Sequence, residues 1–338
     1  MSASETRGSV RDLAAMEENP GDHDRSLMAA VARAHYLEDR SRVEIAEEFG
    51  ISRFKVTRLL KRARDEGVVT IQVNDVGLPD IRLAKRLKKA LGLQACVVVR
   101  SHGSEDSRRY QVGTAAAEHL SSTLHDDDTL GVAWGRTLTA TAQQLTSLPQ
   151  VSLVQLSGFV ADNLSSPIAI MSRVAALTQG RVYPIFAPLY IADKETADGL
   201  RRHPDISRAM QQFSSITTAL LSVGSWEPED NQVREVLPEK DLDNALAKGV
   251  YADVAGLLLT RDGQLVDPEF QDRCITIPAD VLERVPRKIG VAAGSRKAGA
   301  IGAAVHAGLI NEVVTDHELA QTLLALLDDC DQTRPDPS

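Results

Sequence analysis

Apolar residues recur at helical spacing from residue 27, where Leu27, Ala30, Val31, Ala34 and Leu37 share one face and predict an amphipathic helix. A short second helix is predicted from Ser41. Ser41-Arg42-Val43-Glu44 has the capping-box spacing, in which the hydroxyl accepts from the third amide and the carboxylate reaches back. Ile45, Ala46 and Phe49 form its inner face, and Gly50 ends it. Ile51 fills the turn, Ser52 caps a third helix that runs to about Glu66, and Gly67 closes it. The β-branched run Val68–Val73 predicts a strand. Asn, Asp, Gly and Pro within 74–79 read as a hinge. A basic amphipathic helix follows, with Leu83, Leu87 and Leu91 inside and Arg82, Lys85, Arg86, Lys88 and Lys89 outside. It suits either neighbouring domain, or a bridge between them.

From Ala95 the pattern changes to short apolar runs alternating with helical stretches. Strands are predicted at 95–100, 129–134, 151–156, 181–186, 216–222, 255–260 and 288–292, and helices at 108–121, 137–146, 166–178, 206–213, 278–284, 296–307 and 316–328. This alternation predicts an α/β domain with a mostly parallel sheet covered on both faces, a Rossmann-like arrangement. Asp262-Gly263 between apolar runs adds one antiparallel hairpin. The polar stretches 1–22 and 331–338 read as disordered tails. The chain thus divides into a helix-turn-helix domain of winged-helix-like type at 23–76 and a larger α/β domain at 77–330.

Length agrees with two domains, since 338 residues exceed the roughly 150 typical of one. The net charge of −9 argues against a polyanionic partner until its distribution is considered. Residues 25–72 hold ten Lys or Arg against seven Asp or Glu, a balance of +3, and the rest of the chain carries −12. Between Ser52 and Arg64 there are six basic residues and no acidic one, the local footprint of a nucleic-acid surface. No apolar run approaches the roughly 18 residues that span a bilayer. Met1–Pro20 has no apolar signal core, so a cytoplasmic protein without a membrane partner is expected. Cys96, Cys274 and Cys330 lack metal-ligand spacing, and the first two sit in apolar surroundings as core thiols; neither a metal nor a cofactor is expected.

Helix, tight Gly-Ile-Ser turn and helix is the spacing of a helix-turn-helix. Val56, Leu59, Leu60 and Ala63 make the buried face of the second helix. Ser52, Arg53, Phe54, Lys55, Thr57 and Arg58 occupy its open first turns, where base edges are reached, and Lys61, Arg62 and Arg64 suit phosphates. The stretch Ile45-Ala46-Glu47-Glu48-Phe49-Gly50-Ile51-Ser52-Arg53-Phe54-Lys55-Val56-Thr57-Arg58-Leu59-Leu60, continued by Ala63-Arg64-Asp65-Glu66-Gly67-Val68-Val69, resembles the DNA-binding domain of the SorC family of sugar-responsive regulators, sometimes grouped with DeoR. Operator DNA is the partner this implies.

In the second domain several strands end in glycine-bearing turns before helices. The clearest is Gly131-Val132-Ala133-Trp134-Gly135-Arg136-Thr137, where free helix amides, Arg136 and Thr137 together favour an anion. Ser222-Val223-Gly224-Ser225-Trp226 and Ala293-Gly294-Ser295-Arg296-Lys297 read as further turns, and Gly158 ends another strand. In a parallel sheet such turns converge on one crevice. Asp253 either accepts from sugar hydroxyls or caps a turn. Trp134 is a pocket wall or core, Trp226 reads as core, and Tyr190 is a pocket or loop aromatic.

In order and type these segments resemble the SorC-family effector domain, over about residues 25–328. The resemblance implies a fold related to sugar-phosphate isomerases and deaminases, a phosphorylated sugar or related carbohydrate as effector, and a homotetramer. It assigns the phosphate to Arg136, Thr137, Gly224, Ser225 and Lys297, and the sugar hydroxyls to Asp253. Ala252 replaces the family's glycine before that acid, and Ala293-Gly294-Ser295 replaces paired glycines, which bears on effector identity. An enzyme reading, a sugar-phosphate isomerase or deaminase fused to a DNA-binding domain, needs a placed general base. The eight histidines are scattered, and Asp253 with Lys297 is the only acid–amine pair that would serve. No catalytic residue is assigned.

Overall fold

The computed structural model describes residues 20–69, 77–160, 165–266 and 268–332. The chain divides into two compact units between residues 74 and 75. The expected strand Val68–Val73, the hinge 74–79 and the tails 1–22 and 331–338 fall largely outside the described residues. Where described, 20–22 open the first helix and 331–332 close the last.

The first unit contains helices Pro20–Tyr36, Arg42–Glu48 and Arg53–Asp65. Met28, Val31, Ile45, Val56, Leu59, Leu60 and Ala63 fill their shared core. The capping box forms as its spacing predicts: Glu44 N donates to Ser41 Oγ at 3.3 Å, and Ser41 N donates to Glu44 Oε2 at 2.8 Å. Leu37 departs from expectation. The first helix stops at Tyr36, which leaves Leu37 75% exposed, and Met28 and Ala32 take the inward positions instead.

Among the described residues the second unit is built on nine strands: β1 (Ala95–Val99), β2 (Thr129–Val132), β3 (Ser152–Gln155), β4 (Val182–Tyr183), β5 (Thr218–Ser225), β6 (Ala252–Val254), β7 (Leu257–Leu259), β8 (Arg287–Ala292) and β9 (Glu312–Asp316). The main sheet runs β1-β9-β8-β5-β2-β3-β4 with every pairing parallel. Helices Glu105–Thr123, Arg136–Gln144 and Ser165–Ala175 pack on one another as one layer, and Ile81–Leu91, Ala298–His306 and His317–Gln332 as a second. This is the doubly wound α/β arrangement the alternation predicts. The basic helix Ile81–Leu91 packs on β1 and on His317–Gln332, so it belongs to this unit.

Several elements differ from the sequence reading. β5 does not turn at Ser222–Trp226; it stays extended to Ser225, because β6 lies antiparallel along Val223–Ser225 and pairs with its backbone. The hairpin of paired strands is β6–β7, turning at Ala255-Gly256, both at positive φ. The Asp262-Gly263 turn is present but carries only a single bridge, Leu259 to Leu265. β9 and the helices Lys194–Arg202 and Glu239–Ala247 were not predicted. Chain order in the sheet reverses between β2 and β5, and at such a switch point the loops beyond the strand ends diverge and leave a crevice.

Candidate functional site

The crevice lies at that switch point. A cavity partly open to solvent is lined by Arg109, Trp134–Thr137, Ser222–Gly224, Asp230–Val233, Asp253, Ala255, Gly256, Val291 and Lys297. Of the predicted residues, Gly135, Arg136, Thr137, Gly224, Asp253 and Lys297 line it.

Gly135 starts the anion end. It has φ +152°, and a Cβ there would lie 2.6 Å from Ser222 Oγ. Only glycine makes this turn from β2 into helix Arg136–Gln144, whose first amides face the cavity unpaired by the helix itself. Lys297 follows β8; its side chain is 14% exposed, its Nζ donates to Val223 O at 2.6 Å, and it lies 3.7 Å from Asp230 Oδ2. Arg136 is ion-paired with the other oxygen of Asp230. Arg109 reaches in from helix Glu105–Thr123, held by Glu105 at 2.6 Å and Asp106 at 2.8 Å.

Asp253 lines the same cavity. It is buried, and its Oδ1 accepts from Trp226 Nε1 at 3.1 Å and from Asn231 Nδ2. The Asn231 carbonyl accepts from Val233 N at 2.7 Å and Arg234 N at 3.0 Å, which fixes the amide's orientation. Gly224 sits opposite on β5, and a Cβ there would lie 2.2 Å from Asp253 Oδ1. Burial pushes the Asp253 carboxyl above the usual carboxylate range, against the hydrogen bonds from Asn231 and Trp226 and the charge of Lys297. Burial likewise pushes the Lys297 ammonium below its usual value, with Asp230 opposing. The cavity thus brings two cations and a helix start together with a carboxyl and a carboxamide, a lining that suits a ligand with both an anionic group and hydroxyls. Among the described residues no histidine, cysteine or tyrosine lines it.

Three predicted residues lie elsewhere. Gly158 donates to Ile275 O at 2.8 Å and its carbonyl accepts Trp134 Nε1 at 2.7 Å, so it supports the Trp134 wall from behind. Ser225 follows Gly224 in an extended strand, which turns its side chain to the opposite face, where it is fully buried. Gly294 borders an adjoining hollow with Arg108, Arg109, Ser295 and Arg296, and its amide donates to Asp316 Oδ2 at 2.6 Å. Trp226 is core, 1% exposed, yet its indole also holds Asp253. Tyr190 stays out of the cavity, stacked on Phe270 and donating to Asp241 at 2.5 Å. Sequence reasoning missed Arg109, Asp230 and Asn231. The polar run Glu227-Pro228-Glu229-Asp230-Asn231 directly after a strand end was the available signal.

In the first unit Arg53, Phe54, Lys55, Thr57, Arg58, Lys61 and Arg62 are all exposed on helix Arg53–Asp65, with Phe54 77% exposed. Ser52 accepts from Lys55 N at 3.2 Å, so its hydroxyl serves the helix cap. Thr57 Oγ1 donates to Arg53 O at 3.0 Å. Arg62 is paired with Asp24 at 2.6 Å and Glu66 at 2.8 Å.

Residues 78–325 match the Sugar-bind family, described as "Putative sugar-binding domain". The sorbitol operon regulator of Klebsiella pneumoniae is 28% identical over 310 residues, covering 88% of this chain and 97% of that protein. The transcriptional regulator LsrR of Enterobacter sp. (strain 638) is 29% identical over 311 residues, covering 89% and 93%. The crystal structure of full-length SorC from Klebsiella pneumoniae aligns with a TM-score of 0.67 at 26% identity, over 89% of this chain and 99% of that one. A DeoR family transcriptional regulator from Listeria monocytogenes shares the fold of the second unit, with a TM-score of 0.64 at 23% identity over 72% of this chain. With a sugar-binding domain that fills most of its length and full-length relatives that are transcriptional regulators, the chain belongs to the SorC family of sugar-binding transcriptional regulators.

Proposed function

We propose that this regulator works in the cytoplasm, grips operator DNA through helix Arg53–Asp65, and answers to a phosphorylated sugar or closely related carbohydrate bound at the β2/β5 switch point. One observation carries the reading: Arg136, Lys297 and the first turn of helix Arg136–Gln144 line the same cavity as buried Asp253. A phosphate satisfies the first set, and sugar hydroxyls satisfy the second. The ligand acts by its differential affinity for states of unequal operator affinity, and a coupling of about 1–3 kcal/mol changes DNA binding several-fold or more. A homotetramer, supported by the family resemblance, would present paired recognition helices to a symmetric operator.

The experiment is a gel shift of the full chain on DNA flanking its own gene, titrated with sugar phosphates and their unphosphorylated parents. A phosphorylated sugar should change the apparent affinity at concentrations where its parent does not. In Lys297→Ala that response should disappear while DNA affinity without ligand persists. A response equally strong to the parent sugar, or one retained in Lys297→Ala, would remove the phosphate assignment.

A further inference from the structure

The anion end of the cavity carries an anion of its own. After β5, residues Trp226–Glu229 form a turn closed by backbone bonds in both directions between Ser225 and Asp230, at 3.2 and 2.9 Å. The turn is anchored on both flanks: Arg234 NH1 donates to Trp226 O at 2.9 Å, and Arg296 NH2 donates to Glu229 O, also at 2.9 Å. It delivers the Asp230 carboxylate, 15% exposed, onto Arg136 and to 3.7 Å from Lys297. These are the two side-chain cations to which the phosphate is assigned. The next residue, Asn231, donates to Asp253. One short segment therefore touches both the cations and the buried acid of the site.

We propose that Asp230 is a specificity-determining residue, a built-in carboxylate seated on Arg136 and Lys297 that an incoming anion must displace. The inference rests on the phosphate seat proposed above. Two anions cannot share those cations without like-charge repulsion. A sugar acid offers one carboxylate in exchange for another, with no gain in charge. A phosphate ester carries about −1.5 to −2 at neutral pH and adds attraction that a carboxylate lacks. Asp230 therefore admits phosphate esters and rejects sugar acids. A displaced Asp230 has somewhere to go, because it also borders the hollow lined by Arg108, Arg109 and Arg296. Its movement pulls on Asn231, and so reports the arrival of charge to the end of the cavity that reads hydroxyls.

Calorimetric titration of the full chain with inorganic phosphate and with gluconate tests this in wild type, Asp230→Asn, Asp230→Glu and Arg136→Ala. Wild type should prefer phosphate. Asp230→Asn, nearly isosteric, should bind gluconate at least tenfold more tightly and lower the phosphate-to-gluconate preference at least fivefold. Asp230→Glu should keep the wild-type preference. Should Asp230→Asn fail to fold, judged by its melting curve, Asp230→Ser carries the same expectation. A preference unchanged in the uncharged variant, or gluconate binding that weakens, overturns the role of Asp230 and leaves the phosphate seat standing. Phosphate binding that survives Arg136→Ala undiminished, or is undetectable in wild type and Asp230→Asn alike, overturns the seat itself and the inference with it.

Discussion

At Gly224 a single methyl group decides whether the hydrogen-bonded pair of Asp253 and Asn231 can form. Its Cβ position is 2.2 Å from Asp253 Oδ1 and 2.4 Å from Asn231 Nδ2, so an alanine must push apart two hydrogen-bonded groups that have nowhere buried to go. Gly224→Ala should lower stability by about 1–3 kcal/mol, the usual cost of overpacking. It should also abolish the sugar-phosphate response of the gel shift while leaving DNA affinity in place; thermal melting and the gel shift measure the two effects. The sequence reading names this glycine but for a different reason, a turn, when the true constraint is a close approach across β5 and β6. Such constraints are invisible in a window of neighbours, because Asp253 is 29 residues away in sequence. Asp230 escaped for a related reason. An acid beside Glu227 and Glu229 reads as solvated loop until the fold sets it on two cations.

Elements were legible where local chemistry decides them. The second and third helices of the first unit carry their own start signals, and both serine caps form as the spacing predicts. Ser52 lends itself to measurement. Ser52→Ala should cost about 0.5–2 kcal/mol of stability through the lost cap, and Ser52→Gly only a few tenths. Urea denaturation of the two variants should separate them in that order; equal losses would mean that the hydroxyl matters for something other than the cap. In the second unit most strands and helices follow the alternation of apolar runs, whereas β9 hid in Glu312-Val313-Val314-Thr315-Asp316. Its charged ends suggest a loop, but Glu312 and Asp316 are both buried with partners supplied by other elements. The extension of β5 past Ser222 also depends on a distant partner, the β6–β7 hairpin.

For the whole molecule, the sheet has two working edges. The strand C-terminal ends carry the cavity, and the opposite ends carry a buried ionic cluster that ties the layers together. There Glu312 accepts from His119 Nε2 at 2.7 Å and from Arg287 Nε at 2.8 Å, and Arg287 also donates to Thr123 O at 2.9 Å. Burial alone would raise the Glu312 pKa, but the hydrogen bonds from His119 and Arg287 and their charges outweigh it and hold it at about 2, against 4.5 for an ordinary Glu. A depressed carboxylate pKa contributes stability that is fully present above the unfolded value and is lost as pH falls from 4.5 toward 2. Arg287→Ala should therefore destabilise by about 3 kcal/mol at pH 7, as for a broken buried ion pair. The gap from wild type should narrow as the pH falls through that window. Urea denaturation across pH measures it, and a gap independent of pH would assign the loss to packing. Among the described residues no helix is long and apolar enough to cross a membrane.

The pairing of Arg62 with Asp24 and Glu66 has a consequence for how the protein senses ionic strength. A lysine or arginine that meets DNA bare expels condensed counterions, and each phosphate so neutralised adds about 0.9 to the slope of log affinity against log salt. Under the DNA contact proposed above, Arg62 would meet the backbone already neutralised, and trading a carboxylate for a phosphate expels little. Lys61→Ala should accordingly flatten that slope by nearly one unit, whereas Arg62→Ala should leave it almost unchanged.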